Sequence, residues 1–134
     1  MKKEIERKFL ITSDGYKQNM SSKDDIVQGY LSTDPGRTVR LRINNGSGYL
    51  TIKGETSKNG LCRLEWEKEL PIEDANELIA LCLPNKIEKA RYKVNYKGRL
   101  FEVDIFKGIN DGLKIAEIEL DSEADIFEKP KWLL

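Results

Sequence analysis

Apolar and polar positions alternate with a period of two along most of this chain. Alternation puts residues i and i+2 on one face of a strand. The pattern predicts strands over 3–11, 26–32, 37–44, 48–54, 61–70, 86–96, 99–106 and 114–121. Turn signals separate most of them: Asp34-Pro35-Gly36, Asn44-Asn45-Gly46, Asn59-Gly60, Lys97-Gly98 and Asn110-Asp111-Gly112. The spacing switches to helical over 71–82, where Ile72, Ala75, Leu78, Ile79 and Cys82 share one face. Pro71 suits a first helical turn, Glu73 and Asp74 suit its positive end, and Pro84 stops it. A weaker helical stretch falls over 13–20. No linker, repeat or low-complexity segment divides the chain, so 1–134 reads as a single domain.

The polar face of nearly every strand is charged. Glu4, Glu6 and Lys8 alternate with Ile5, Arg7 and Phe9. Arg40 and Arg42 oppose Val39, Leu41 and Ile43; Lys53 and Thr51 oppose Leu50 and Ile52. Glu65 and Glu67 oppose Leu64 and Trp66, and Lys89, Arg91 and Lys93 oppose Ala90, Tyr92 and Val94. Glu102 and Asp104 oppose Phe101, Val103 and Ile105, while Glu117 and Glu119 oppose Ala116, Ile118 and Leu120. Most of these groups carry a single sign.

Composition narrows the chemistry. Lys plus Arg and Asp plus Glu are both 23, so the net charge is zero. That balance argues against nucleic acid or an anionic membrane as a partner. Charged residues reach 34%, above the usual ~25%. No apolar run reaches the ~18 residues of a membrane span, and no apolar leader follows Met1, Lys2 and Lys3, so the expected location is the cytoplasm. Cys62 and Cys82 make neither a disulfide framework nor a zinc site, and Cys82 reads as a core thiol. Histidine is absent. Catalysis by a Ser-His-Asp or Cys-His group is therefore excluded, leaving carboxylates, Lys, Arg, Tyr or an oxygen-bound metal.

Two architectures fit the pattern, and periodicity alone does not choose between them. One is an antiparallel sheet with a solvated charged face. The other is a closed barrel with the charges inside, wide enough at about eight strands for one small ligand. In the second, carboxylates call for hard cations, Mg²⁺ or Mn²⁺. The Arg and Lys residues call for a polyanion, since Arg matches phosphate oxygens bidentately. Together they describe a site for a metal–polyphosphate complex.

The opening Glu4-Ile5-Glu6-Arg7-Lys8-Phe9-Leu10 resembles the ExExK signature of the triphosphate tunnel metalloenzymes, the CYTH superfamily. More specific is Glu102-Val103-Asp104-Ile105-Phe106-Lys107-Gly108, followed by Asn110, Gly112-Leu113 and Ala116-Glu117-Ile118-Glu119-Leu120. Gln28-Gly29-Tyr30-Leu31, Thr38-Val39-Arg40-Leu41-Arg42, Leu50-Thr51-Ile52-Lys53-Gly54, Glu65-Trp66-Glu67 and Lys89-Ala90-Arg91-Tyr92 fall in the expected order. The resemblance covers roughly residues 2–132.

It implies a mainly β (α+β) fold: an eight-stranded antiparallel tunnel with a charged lumen and a few flanking helices. It also implies a helix beyond Pro130-Lys131-Trp132-Leu133-Leu134, where this sequence ends. By position, Glu4, Glu6, Glu117 and Glu119 would hold Mg²⁺ or Mn²⁺, assisted by Glu65 and Asp104, with Glu67 and Glu102 secondary. Lys8, Arg40, Arg42, Lys53, Lys89 and Arg91 would cradle the phosphate chain. Gln28 and Tyr30 would line the lumen or serve the strand alone; Lys93 would point in or out. Arg7 falls on the apolar side. The catalytic set implied is Glu4, Glu6, Lys8, Glu65 and Lys89, with the water's proton going to Glu4, Glu6, Glu65 or Glu119. The expected activity is divalent-metal-dependent hydrolysis of inorganic tripolyphosphate to pyrophosphate and phosphate. The alternatives are a class IV adenylate cyclase, a thiamine or nucleoside triphosphatase, and a non-catalytic polyphosphate-binding module. The outward face of Phe101, Val103 and Ile105 offers a homodimer contact.

Overall fold

A computed structural model describes residues 1–134. Its eight strands are β1 (Lys2–Leu10), β2 (Met20–Ser32), β3 (Arg37–Asn44), β4 (Ser47–Gly54), β5 (Cys62–Leu70), β6 (Ile87–Tyr96), β7 (Arg99–Lys107) and β8 (Lys114–Glu119). One helix, α1 (Ile72–Ala80), joins β5 to β6. The strands close in the order β1-β5-β4-β3-β2-β6-β7-β8. Every neighbouring pair is antiparallel, and β8 returns to β1. The barrel alternative is therefore the one adopted.

Most turns follow the local chemistry. Asn45-Gly46 and Lys97-Gly98 both take positive φ, the geometry a two-residue hairpin needs. The weak helical stretch is a short 3-10 turn, Asp14–Asn19. Strand β2 starts at Met20, six residues before the expected position. Its exposed first half, with Lys23-Asp24-Asp25, lacks alternation and is held by pairing with β6, from Met20↔Val94 to Gln28↔Ile87.

The hydrophobic core lies outside the barrel wall. Val94, Phe101, Val103, Ala116 and Ile118 project from β6, β7 and β8 and are essentially fully buried. Tyr16, Leu120, Trp132 and Leu133 cover them. The segment after β8 thus works as a strap, tied down by Leu134 N–H to Leu10 O at 2.8 Å and by the Arg99–Asp125 ion pair at 2.9 Å. The outer face of β7 is consequently occupied by the chain's own strap. Of the outward face expected to offer a homodimer contact, Phe101 and Val103 are covered by the chain itself at 0% exposure, while Ile105 is half-buried.

Helix α1 covers the opposite side of the wall. A Cβ at Gly48 would stand 2.3 Å from the Ala75 Cβ, and one at Gly29 would stand 2.8 Å from the Cys82 Cβ. These two glycines let α1 and its C-terminal turn sit directly on the β2–β4 backbone. Cys62 and Cys82 are both free. No helix is long and apolar enough to cross a membrane.

Candidate active site

With the apolar faces turned outward, the alternation leaves the charged faces nowhere to point except inward. They enclose a cavity of about 310 Å³ lined by 19 residues, of which Tyr30 alone is hydrophobic. The carboxylates gather on one arc of the cavity wall, with Lys2, Lys8 and Arg63 among them. Strands β1, β5, β7 and β8 contribute Glu4, Glu6, Glu65, Glu67, Glu102, Glu117 and Glu119. Strands β3 and β6 contribute Arg40, Arg42, Lys89 and Arg91, and β4 places Lys53 at the seam.

The acid wall sets like charges side by side. Glu6 pairs with Glu119 across β1–β8, and Glu102 pairs with Glu117 across β7–β8. Like charges directly opposite one another destabilise a sheet. Burial pushes the Glu6 carboxyl up to about 7, with the charges of Glu117 and Glu4 adding to the effect. Lys8 relieves it only partly, at 3.6 Å and with a side chain 60% exposed. Deeper in, Lys53 Nζ lies 2.9 Å from Glu4 Oε1 and 3.5 Å from Glu65 Oε2. Burial works against ionisation of Glu4, but a hydrogen bond with Glu65 and the Lys53 ammonium hold its carboxyl below the usual range. Burial and Glu4 push Glu65 up. No three of these carboxylates converge into a ready cation cage.

The base wall is braced from behind. Arg91 donates to Asp104 through Nε at 2.7 Å and Nη2 at 2.9 Å, and Lys89 Nζ donates to the same carboxylate at 2.7 Å. Burial alone would raise the Asp104 carboxyl, yet Arg91 and Lys89 hold it below the carboxylate range. Burial brings Lys89 down to about 8 against the pull of Asp104. Burial, with Arg40 and Arg91, brings Arg42 to about 10. Arg42 donates to Gln28 at 3.0 Å, and Arg40 to Thr51 at 3.3 Å. Arg40 Nε is a buried donor with no partner.

Most of the expected residues meet in this cavity: Glu4, Glu6, Lys8, Arg40, Arg42, Lys53, Glu65, Lys89, Arg91, Glu117 and Glu119, with Gln28 and Tyr30. Asp104 does not line it. It is 1% exposed, and both oxygens are taken by Arg91 and Lys89, so it stands behind the wall as an anchor. Lys93 lines a recess at the end of the barrel that shares Arg42, Glu67, Arg91 and Glu102 with the lumen and adds Asp24, Asn44 and Tyr49. Arg7 stands outside, its guanidinium 5.2 Å from the Phe9 ring centre. Lys2, Thr38, Thr51 and Arg63 also line the cavity. Arg63 shares the parity of Glu65 inside the expected strand 61–70, and Lys2 shares that of Glu4 one residue before the expected strand 3–11.

A profile of the CYTH domain matches residues 2–134. The chain belongs to the CYTH-domain family. Its CYTH relatives include the inorganic triphosphatase of Acetivibrio thermocellus, 46% identical over 134 residues, covering 99% of this chain and 84% of the relative. The inorganic triphosphatase of Nitrosomonas europaea is 35% identical, covering 96% and 85%. The crystal structure of the inorganic triphosphatase NE1496 superposes with a TM-score of 0.65 at 32% identity, over 96% of this chain and 85% of that one. HpAC1 from Hippeastrum shares the fold, with a TM-score of 0.72 at 15% identity over 89% and 80%.

Membership of the CYTH family implies dependence on a divalent cation. The side chains of this CYTH tunnel suit one. The acid wall supplies hard carboxylate oxygens only, and its two like-charged cross-strand pairs are relieved by added positive charge. The orphaned Arg40 Nε and the clustered guanidinium groups opposite fit an anion in the same way.

Proposed function

We propose that this chain, as a single tunnel domain in the cytoplasm, hydrolyses inorganic tripolyphosphate to pyrophosphate and phosphate with Mg²⁺ or Mn²⁺. One observation carries the reading: a 310 Å³ lumen walled by acids on one side and bases on the other, with a single hydrophobic residue. A nucleobase or thiazolium ring finds little apolar surface there, whereas a bare phosphate chain finds charge on every side. The two relatives named inorganic triphosphatase support the same substrate.

Glu4, Glu6, Glu117 and Glu119 would hold the cation, with Glu65 beside them. When bound it supplies charge neutralisation and a more acidic water. Arg40, Arg42 and Arg91 clamp phosphate oxygens with planar, multi-donor heads, and Lys53 and Lys89 add point charge. The donors of Arg40, Arg42, Arg91 and Lys89 are held in place before substrate arrives, which is what makes them effective as charge builds on the leaving pyrophosphate. Lys8 extends this positive charge beside Glu6. A carboxylate among Glu4, Glu6, Glu65 and Glu119 accepts the proton of the attacking water. Asp104 acts at one remove, by holding Lys89 and Arg91 in place.

The test is phosphate release from tripolyphosphate, ATP and thiamine triphosphate in parallel, with Mg²⁺, Mn²⁺ or EDTA. Release from tripolyphosphate that needs the cation and disappears in Glu6→Gln is the expected result. Release from ATP or thiamine triphosphate at equal or greater rates would reject the inorganic substrate.

A further inference from the structure

Lys53 occupies the seam between the two walls. It reaches from β4 to one carboxylate on β5 and another on β1, adjacent strands in the barrel. Both Glu4 oxygens accept from its Nζ, at 2.9 and 3.1 Å, and Glu65 Oε2 lies at 3.5 Å. Lys53, Glu4 and Glu65 have side chains only 14%, 8% and 13% exposed. One ammonium therefore serves two buried carboxylates.

The arrangement has two consequences. A cation approaching Glu4 and Glu65 meets an ammonium on the oxygens it needs. Conversely, Lys53 cannot give its donors to a phosphate while Glu4 holds them, because uncovering two buried carboxylates is costly. Lysine is suited to such an exchange: its four-carbon stem turns without moving the backbone. Arg40 and Arg42 differ, since each is anchored to a lumen side chain, Thr51 or Gln28.

We infer that Lys53 is an exchangeable counter-ion, holding Glu4 and Glu65 until a divalent cation replaces it and only then turning to the phosphate chain. The inference rests on the proposed triphosphatase reading and adds an order to it, with cation binding preceding the Lys53–phosphate contact. The two ligands are then coupled through one side chain, each raising affinity for the other by the same factor.

The experiment follows the lysine ammonium groups of the full chain by ¹⁵N NMR while Mg²⁺ is added, with calorimetry on the same samples. Lys53→Met or Lys53→Arg assigns the signal, so the measurement survives if one of them folds poorly. The Lys53 signal is expected to shift or vanish along the calorimetric isotherm, while that of Lys89, held by Asp104, stays. Lys53→Met should also bind Mg²⁺ about fivefold or more tightly without phosphate. Binding heat with an unmoved Lys53 signal would overturn the exchange and leave the triphosphatase reading standing. No heat with Mg²⁺ or Mn²⁺ would overturn both.

Discussion

Arg91 grips Asp104 with two parallel hydrogen bonds, Nε to Oδ1 at 2.7 Å and Nη2 to Oδ2 at 2.9 Å. Asp104 is 1% exposed and also takes Lys89 at 2.7 Å. Removing one member of such a group strands the others in a dry wall. Asp104→Asn is therefore expected to cost about 3–5 kcal/mol, read from urea unfolding. Because Asp104 stands behind the lumen, the folded variant should keep its Mg²⁺ affinity while losing affinity for tripolyphosphate. A large loss of Mg²⁺ affinity would put Asp104 among the cation's ligands instead.

Glu6 gives a pH signature to the cation-free protein. Its carboxyl titrates near 7 when folded, against the ordinary 4.5. Between those values the folded state holds a proton that the unfolded state has released. Stability from this group is thus full below about 4.5 and is lost as pH rises through about 7. In EDTA, urea midpoints should fall from pH 5 to pH 8, and Glu6→Gln should remove that part of the decline. The variant should be the more stable at pH 8, by on the order of 1 kcal/mol, and should have lost turnover. Equal midpoint profiles for the two proteins would mean that Glu6 is not under strain.

Much of this site was legible in the alternation of charge, and its limits have physical causes. Glu4, Glu6, Lys53 and Glu117 were found because parity fixes which residues share a face. Parity does not say which face is inside. That depends on barrel closure, a long-range property of β1 meeting β8. Asp104 has lumen parity yet lies behind the wall, because Arg91 and Lys89 on the neighbouring strand reach it first. The first half of β2 shows no pattern of its own, since β6 supplies its pairing. The covering of Phe101 by Trp132 likewise joins distant parts of the chain. The Lys53–Glu4 contact crosses β5, and no reading of one strand would place it.

Arg42 tests the base wall. Its guanidinium is held by Gln28 at 3.0 Å, and burial with the charges of Arg40 and Arg91 brings it to about 10. Such crowding of like charge is relieved by an anion. Arg42→Ala should weaken tripolyphosphate binding by about 1.5–3 kcal/mol, the range for a hydrogen bond to a charged group. The loss should appear as roughly a 10- to 150-fold rise in KM. Stability without substrate should hold or improve. An unchanged KM would remove Arg42 from the phosphate cradle.

Trp132 tests whether packing outside the barrel sets the charges inside it. Its ring meets Phe101 edge-on at 5.7 Å and Tyr16 at 6.0 Å, and it is 5% exposed. Phe101 is the residue before Glu102 on β7, and its outward burial is what turns Glu102 toward the lumen. Trp132→Ala should cost about 3–5 kcal/mol, the usual price of a large core cavity. The strap would then loosen from β7 and β8, and with it the alignment of Glu102, Glu117 and Glu119. Saturating tripolyphosphate with Mg²⁺ binds only the folded state and should recover part of the lost melting temperature. A variant that unfolds more easily yet keeps wild-type KM and kcat while folded would separate the strap from the site. A parallel fall in kcat would show that the outer core holds the acid wall in register.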